Sequence, residues 1–401
     1  MLAAPSRDWN VFKQICAEHW EEFTHAHPRY QTSYYDGLVA KMLGCGNPEQ
    51  MGSVADRCLH WGQGKHLVSM RCQSSLCLRC AKVSVDNWVS QVSQVLHEGG
   101  IYRHIILTVP AMFRTTFYHN AAVLLSALMR CGVQGREEFL SEVRGKALQG
   151  GDIVVLHTHG RNGQYHPHLH LIATSGGCDG QGRRWEHLHY VPYALLRRKW
   201  QWHLLRLVRQ TLKTEAIHRL VDGCFRKYPN GLVTNVHKGT VPSQSQSLAT
   251  YVATYVVSPP ISIRRIDCYD GERVTYHYRS HKTERTERDT VNVDTFIGRM
   301  VPHTMPKGFK RIRYDGVQAT KTCATVKVVM QEALAKVQGV VQGAVKSIAR
   351  LTYRQRYVQD VFQFAQPPFM GDHQKAGGQA ARGSSSSCRS GYHRWNTAPS
   401  S

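Results

Sequence analysis

The chain has 401 residues, 42% of them hydrophobic, which is enough for two or three globular domains with buried cores. Lysine and arginine number 51 against 28 acidic residues, and the resulting net charge of +23 favours a polyanionic partner, nucleic acid first of all. The N-terminus lacks the apolar stretch of a signal peptide, and no run has the length of a membrane span. We therefore expect a cytoplasmic, nucleoid-associated protein with no membrane partner.

Residues 1–97 are predicted to form a helical and zinc-binding DNA-binding domain. Apolar residues recur at helical spacing over residues 9–44, and a second helical pattern covers residues 86–96. A turn-rich segment lies between these two patterns. Its cysteines have the spacing of a small structural Zn²⁺ module, and the predicted ligands are Cys58, Cys72, Cys77 and Cys80. Three nearby residues remain alternatives for one of these ligands: Cys45, His60 and His66.

Residues 98–316 alternate strand-like and helical stretches. Strands are predicted over residues 102–110 and 152–156, with a helical stretch from 118 to 148 between them. Glycines at 160–163 predict a hairpin turn into a strand over residues 166–174, which indicates an antiparallel sheet. The remaining patterns are helical over 190–222, strand-like over 268–279 and 290–296, and mostly helical over 319–364.

The predicted strand after the hairpin turn carries histidines at alternate positions, His166, His168 and His170, whose side chains point to one face. Two imidazoles on one face can converge on a divalent ion if a third ligand arrives from elsewhere. We expect His168 and His170 to bind a catalytic Mg²⁺ or Mn²⁺ that neutralises a phosphate oxygen. The third ligand stays open among His166, His157, His159, a carboxylate and a glutamine.

Tyr251 and Tyr255 stand four residues apart, so in a helix both phenols lie on the same side. The prolines at 259 and 260 would end such a helix. Because the pKa of tyrosine is about 10 in water, a tyrosine nucleophile needs a base or a nearby cation to stabilise its phenolate. Paired with a metal at the histidine strand, the two tyrosines predict phosphodiester transfer.

A basic segment with interleaved aromatics, residues 305–316, is suited to single-stranded DNA. Its cations can follow phosphates while Phe309 and Tyr314 stack on unpaired bases. With an earlier basic cluster, the predicted DNA-binding residues are Arg264, Arg265, Lys307, Lys310, Arg311 and Arg313. Further along, the sequence predicts a helical C-terminal region over 317–366. A disordered basic tail is expected over 367–401, where Gly, Ser, Gln and Arg dominate.

In the order of its motifs the chain resembles the rolling-circle transposases of the insertion sequence ninety-one family, which are HUH endonucleases. The resemblance covers residues 40–316. It depends on the cysteine module, the Tyr-Arg-His-Ile-Ile-Leu-Thr-Val-Pro stretch, the His-Pro-His-Leu-His strand, the Tyr-x3-Tyr pair and the basic segment from Pro306. The histidines precede the tyrosines, as in replication initiators and these transposases, whereas relaxases place the tyrosine first.

The resemblance implies an α+β fold whose central antiparallel sheet, with flanking helices, carries the histidines on a middle strand. Residues 98–316 would then be the tyrosine transposase catalytic domain. Either Tyr251 or Tyr255 would attack single-stranded DNA at a transposon end, forming a 5′-phosphotyrosine and releasing a 3′-hydroxyl, and the other would act on a second strand. One departure concerns the zinc module, because Trp61 stands where the family usually has a cysteine. His60 or His66 would compensate.

Two other functions fit the same motifs. A plasmid or phage rolling-circle replication initiator would nick an origin with these residues, and its DNA preference would differ. A noncatalytic zinc-dependent DNA-binding regulator would bind DNA without cleaving it. A zinc hydrolase is disfavoured, because the histidine strand contains no acidic residue to act as a general base.

Overall fold

The structure is a computed structural model. It describes a few positions between 326 and 335 and, before them, residues 10–57, 65–96, 101–179, 181–236, 260–280, 283–306 and 308–319. The predicted tail and most of the predicted C-terminal helical region lie outside the described residues. Within the described ranges, no helix has the length and apolar character needed to span a membrane.

The N-terminal elements are α1 (Val11–Ala26), α2 (Ser33–Gly44), α3 (Pro48–Met51), β1 (Ser53–Arg57), β2 (Lys65–Ser69) and α4 (Leu78–Val95). The helical pattern predicted over residues 9–44 is confirmed as two helices, separated by a 3₁₀ turn that starts at Pro28. Each has a polar N-cap. The Asn10 side chain accepts from the backbone N–H of Phe12, and Thr32 does the same for Tyr35.

The central elements are β3 (Tyr102–Thr108), α5 (Arg114–His119), α6 (Ala121–Arg144), β4 (Leu148–Gln149), β5 (Gly151–His159), β6 (Tyr165–Thr174), β7 (Gly176–Asp179), β8 (Trp185–His187), α7 (Tyr193–Leu212), α8 (Glu215–Lys227) and β9 (Thr234–Val236). After residue 260 follow β10 (Ile266–Tyr269), β11 (Arg273–Arg279), β12 (Thr286–Asn292), α9 (Val293–Met300) and β13 (Ile312–Gly316). Further 3₁₀ turns cover Ala111–Phe113, Ile263–Arg265 and Val301–His303.

The prediction of a strand over residues 290–296 is wrong in its second half. β12 ends at Asn292, and α9 begins at the next residue. The Asn292 side chain accepts a hydrogen bond from the backbone N–H of Thr295, at 2.9 Å, and so caps the new helix. The apolar residues Val293, Phe296 and Ile297 are therefore buried at helical spacing.

A five-stranded antiparallel sheet forms the centre of the fold, in the order β13–β5–β6–β3–β9. This confirms the predicted α+β architecture, with the histidine strand β6 in the middle. One face of the sheet packs against α6 and α7 through leucines that include Leu107, Leu156 and Leu169. The other face combines the apolar residues Tyr102, Ile153, Val155 and Ile172 with Trp88, Val92 and Leu96 from α4.

A second core joins the N-terminal helices to the elements after residue 260. Phe12 of α1 meets Phe296 of α9 edge-to-face, with ring centroids 6.2 Å apart. Val274 and Tyr276 of β11 are buried in the same cluster, together with Cys77 at the start of α4. This core crosses the predicted boundary at residues 97 and 98, and the domain limits themselves remain predictions.

A buried ion pair fixes α6 to the start of β5. Arg136 is 3% exposed and Asp152 is 0% exposed, and the arginine Nε lies 3.0 Å from both carboxylate oxygens. The arginine Nη2 also donates to Oδ2, and this bidentate geometry compensates part of the cost of removing both charges from water.

Asp152→Ala should therefore lower the free energy of unfolding by about 3–5 kcal/mol, because it leaves the Arg136 guanidinium buried without a counter-charge. Urea denaturation monitored by circular dichroism measures this loss. The double variant Arg136→Met with Asp152→Leu removes both charges and should recover most of it. A double variant no more stable than the single one would contradict this account.

Candidate metal and catalytic sites

Three histidines from β5 and β6 converge on one face of the central sheet. His157 lies directly opposite His168 across the strand pair, and Val155 opposes His170, so all three imidazoles share a face. One ring nitrogen from each of His157, His168 and His170 lies within 4.8 Å of the other two. That spacing is close to the spread of about 3–4 Å expected for nitrogens about 2.1 Å from one ion. The residues present fit a divalent metal.

Hydrogen bonds direct the Nε2 atoms of His168 and His170 toward this centre. The His168 Nδ1–H donates to the backbone oxygen of His166 at 2.7 Å, which places the ring's lone pair on Nε2. His170 Nδ1 lies 2.8 Å from Nε2 of His104, while its own Nε2 is buried and has no hydrogen-bond partner within the described ranges. Burial and the neighbouring histidines hold the pKa of His170 well below its usual value. The neutral form is the one that binds metals.

His166 does not belong to this group. The register of β5 and β6 shifts between the pairs His157–His168 and His159–Tyr165, so two residues of β6 oppose one residue of β5. This bulge interrupts the alternation on which the prediction of His166 as a ligand depended. Burial lowers the pKa of His166 to about 3. Of the alternatives, His157 is the one that the structure brings to His168 and His170.

Four cysteines form a second compact cluster, at the start of α4. Sγ atoms of Cys45, Cys72, Cys77 and Cys80 all lie within 4.8 Å of one another. The distance from Cys45 Sγ to Cys80 Sγ is 3.5 Å, and Cys72 Sγ to Cys80 Sγ is 3.7 Å. Tetrahedral zinc with bonds of about 2.3 Å separates its sulfurs by about 3.8 Å. The cluster therefore fits zinc.

The fourth cysteine of the cluster comes from the C-terminal end of α2. The sequence favoured Cys58 as the fourth zinc ligand and left Cys45 as an alternative, and Cys58 lies outside the described residues. A hydrogen bond from the Cys72 thiol lowers the pKa of Cys77 to about 5, while burial raises the pKa of Cys80 to about 11. The Cys77 thiol therefore loses its proton more readily than an ordinary cysteine.

Known protein families match the region that contains the cysteine cluster and the region that contains the histidine strands. Residues 15–109 match the transposase zinc-binding domain of the insertion sequence ninety-one type, and residues 151–325 match a family described as "Putative transposase". The chain is 28% identical over 313 residues to the transposase for insertion sequence element IS801 of Pseudomonas savastanoi pv. phaseolicola, covering 74% of this chain and 73% of that protein. The chain is a transposase similar to those of the insertion sequence ninety-one type.

A further relative is a Sinorhizobium fredii protein named "Putative transposase y4qJ". It is 26% identical to this transposase over 278 residues, which cover 66% of this chain and 68% of the relative. No solved structure gives a significant match.

The predicted DNA-binding cations of this transposase have different surroundings. Arg264 and Lys310 are exposed. Arg265 donates from Nε to the His277 carbonyl at 2.8 Å and from Nη2 to the Arg161 carbonyl at 2.6 Å. Arg313 donates a hydrogen bond to Ser126 of α6. Burial lowers the pKa of Arg311. Lys307 lies outside the described residues.

The sequence reasoning missed Arg114, a cation close to the histidine strand. It begins α5, which packs against β6, and its positive charge contributes to the lowered pKa of His166. Its Nε atom is buried and has no hydrogen-bond partner among the described residues. In the sequence, Arg114 follows the strand predicted to end at Pro110, but a single arginine at that place forms no recognisable motif.

Replacing Cys45 by serine should lower zinc content well below one ion per chain, because the closed site loses a thiolate. Cys58→Ser should leave zinc content unchanged. Metal analysis of the purified variants after dialysis measures both. Cys16→Ser is a matched control, since Cys16 is buried in the same core but lies outside the cysteine cluster. Loss of zinc from Cys58→Ser alone would assign the fourth ligand to Cys58 instead.

His303 gives the fold a pH dependence. Its Nδ1 accepts from the Thr158 hydroxyl at 3.0 Å, and its Nε2–H donates to the Gly163 carbonyl at 3.0 Å. Burial lowers the pKa of His303 from 6.5 to about 4. Between these values the unfolded chain binds a proton that the folded protein does not, so stability is complete above about pH 6.5 and falls toward pH 4.

Unfolding free energies from urea titrations at pH 7, 6 and 5 should therefore decrease, with His303 contributing up to about 1.4 kcal/mol per pH unit. His303→Gln should flatten this slope, because glutamine keeps a hydrogen-bonding side chain but does not titrate. His159, His166 and His170, whose pKa values are also lowered by burial, should retain part of it. An unchanged slope in the variant would refute the assignment.

Proposed function

We propose that this transposase cleaves and rejoins single-stranded DNA at transposon ends through a 5′-phosphotyrosine, and so supports rolling-circle transposition. The observation that carries the proposal is the convergence of His157, His168 and His170 on one face of the middle strands. A divalent Mg²⁺ or Mn²⁺ held there would neutralise a non-bridging phosphate oxygen of the DNA and align the scissile bond.

The covalent step uses a tyrosine, Tyr251 or Tyr255. The phenolate oxygen attacks phosphorus, a new bond joins tyrosine to the 5′-phosphate, and the bond from phosphorus to the 3′-oxygen breaks. The departing 3′-oxygen takes up a proton. Attack by a 3′-hydroxyl of another strand reverses the step, reforms a phosphodiester and releases the tyrosine, so no external energy source is needed.

The attachment of the tyrosine segment supports this role. Tyr251 and Tyr255 lie outside the described residues, but the chain on either side of them is placed. Before them it passes through β9, which pairs with β3 in the central sheet. After them Ile261 is buried in the second core, and Arg265 donates to the carbonyl of Arg161 in the turn between β5 and β6. The described chain thus lies beside the central sheet before the two tyrosines and beside the β5–β6 turn after them.

The cysteine cluster has a structural role in this proposal. Four thiolates around one Zn²⁺ close the coordination sphere and leave no position for substrate. Cys77 is the N-cap residue of α4, and α4 covers the apolar part of the sheet face that carries the histidines. Zinc would thereby fix the helix that shields this face.

Transposition is favoured over origin nicking because both relatives are named as transposases. A regulator without catalysis is disfavoured by His170, since its buried Nε2 has no hydrogen-bond partner among the described residues, and a bound metal would supply one.

Incubation with end-labelled single-stranded element-end DNA and Mg²⁺ or Mn²⁺ should yield a protein–DNA adduct that survives denaturation. The adduct should disappear in the Tyr251→Phe, Tyr255→Phe double variant and on chelation, and the single variants rank the two nucleophiles. Denaturing electrophoresis measures the adduct. Binding of the same DNA without any adduct would favour the regulator.

Two histidine variants separate chemistry from binding. His168→Ala and His170→Ala should abolish cleavage while retaining most of the DNA affinity, because phosphate contacts dominate that affinity. Fluorescence anisotropy with labelled DNA measures it. Equal loss of binding and cleavage in both variants would indicate a structural site.

A further inference from the structure

His104 lies beneath the metal-site histidines on the neighbouring strand β3. It opposes Ile172 across the β3–β6 pair, so it is the diagonal neighbour of His170 on the same face. Its Nε2 is 2.8 Å from His170 Nδ1, and the two rings stack with centroids 5.0 Å apart. His104 is 4% exposed and His170 is 6% exposed. This is a buried hydrogen bond between two imidazoles.

The direction of the bond follows from the role of His170. If His170 offers Nε2 to a metal, its lone pair is on Nε2 and its proton is on Nδ1. The Nδ1–H then donates to Nε2 of His104, and His104 must be a neutral acceptor with its own proton on Nδ1. Protein ligands to metals usually have such a partner, which fixes the tautomer and orients the ring.

The rings of the two candidate ligands are oriented by different kinds of group, a backbone carbonyl for His168 and a side chain for His170. His168 is oriented by a backbone carbonyl, that of His166, which no substitution of a side chain removes. His170 is oriented by a side chain, and among the described residues its ring has no other hydrogen-bond partner. The tautomer of His170 thus depends on the identity of residue 104.

We infer that His104 is a positioning residue of the metal site, which holds His170 in the tautomer and orientation needed to bind the divalent ion. This inference rests on the proposed function, because it takes His170 as a ligand. His104 itself touches neither metal nor DNA in this assignment.

Mn²⁺ binding to the full-length protein tests the inference without relying on cleavage. Free Mn²⁺ is measured by electron paramagnetic resonance during titration of wild type, His104→Leu and His104→Gln. The Gln Oε1 can accept from His170 Nδ1–H near the position of the histidine Nε2, whereas leucine cannot. His104→Leu should weaken Mn²⁺ binding by about 10–100-fold, and His104→Gln should restore most of it.

Controls separate positioning from damage to the fold. His303→Gln alters another buried histidine and should leave Mn²⁺ affinity unchanged. In the His170→Ala background, His104→Leu should cause no further loss, because the two residues act through one bond. Adduct formation by His104→Leu should recover when Mn²⁺ is raised, with unchanged affinity for labelled DNA in the absence of metal.

Several results would overturn the inference. His104→Leu with wild-type Mn²⁺ affinity would show that the bond does not matter. Equal losses in His104→Leu and His104→Gln would indicate packing rather than hydrogen bonding. Wild-type binding of Mn²⁺ that does not depend on His170 would remove both this inference and the proposed metal site. His104-dependent Mn²⁺ binding without any tyrosine adduct would support the inference while the proposed cleavage reaction fails.

Discussion

The convergence of His157, His168 and His170 depends on the register between β5 and β6. Near the turn, Gly160 pairs with Gln164 and His159 with Tyr165. Continued without interruption, that register would place His157 opposite Pro167, with its side chain on the face away from His168. The single extra residue in β6 moves the pairing to His157 with His168. One bulge therefore decides whether the three imidazoles share a face or are divided between two, and only the shifted register brings them close enough to share one metal ion.

This dependence explains which parts of the structure the sequence could predict. His168 and His170 follow from alternation along one strand, a local property that survives in the structure. His157 could be predicted only as one of several candidate third ligands, because no local sequence pattern predicts a bulge. Cys45 joins the other cysteines only because the C-terminal end of α2 lies beside the start of α4, which spacing along the chain does not encode. The helix start at Val293 was missed because apolar β-branched residues near Asn292 fit a strand equally well.

The two faces of the central sheet differ in composition. The face against α6 and α7 is a continuous hydrocarbon core. The opposite face is apolar where α4 covers it and imidazole-rich toward the β5–β6 turn. Because α4 starts within the cysteine cluster and packs on the histidine-bearing face, this 18-residue helix links the two candidate metal centres. Trp88 and Val92 thereby connect the helix that begins at the cysteine cluster with the sheet face that carries the histidines.

The second core also has a consequence for biosynthesis. Phe12 reaches its partner Phe296 only after the intervening 283 residues have been translated, which takes on the order of tens of seconds. Cys72, Cys77 and Cys80 leave the ribosome long before α9 and β11 arrive to bury them. During that interval the thiols are accessible to solvent and to oxidants. Capture of a metal by the nascent chain would protect these thiols, so the cysteine cluster gains most from zinc that is present during synthesis.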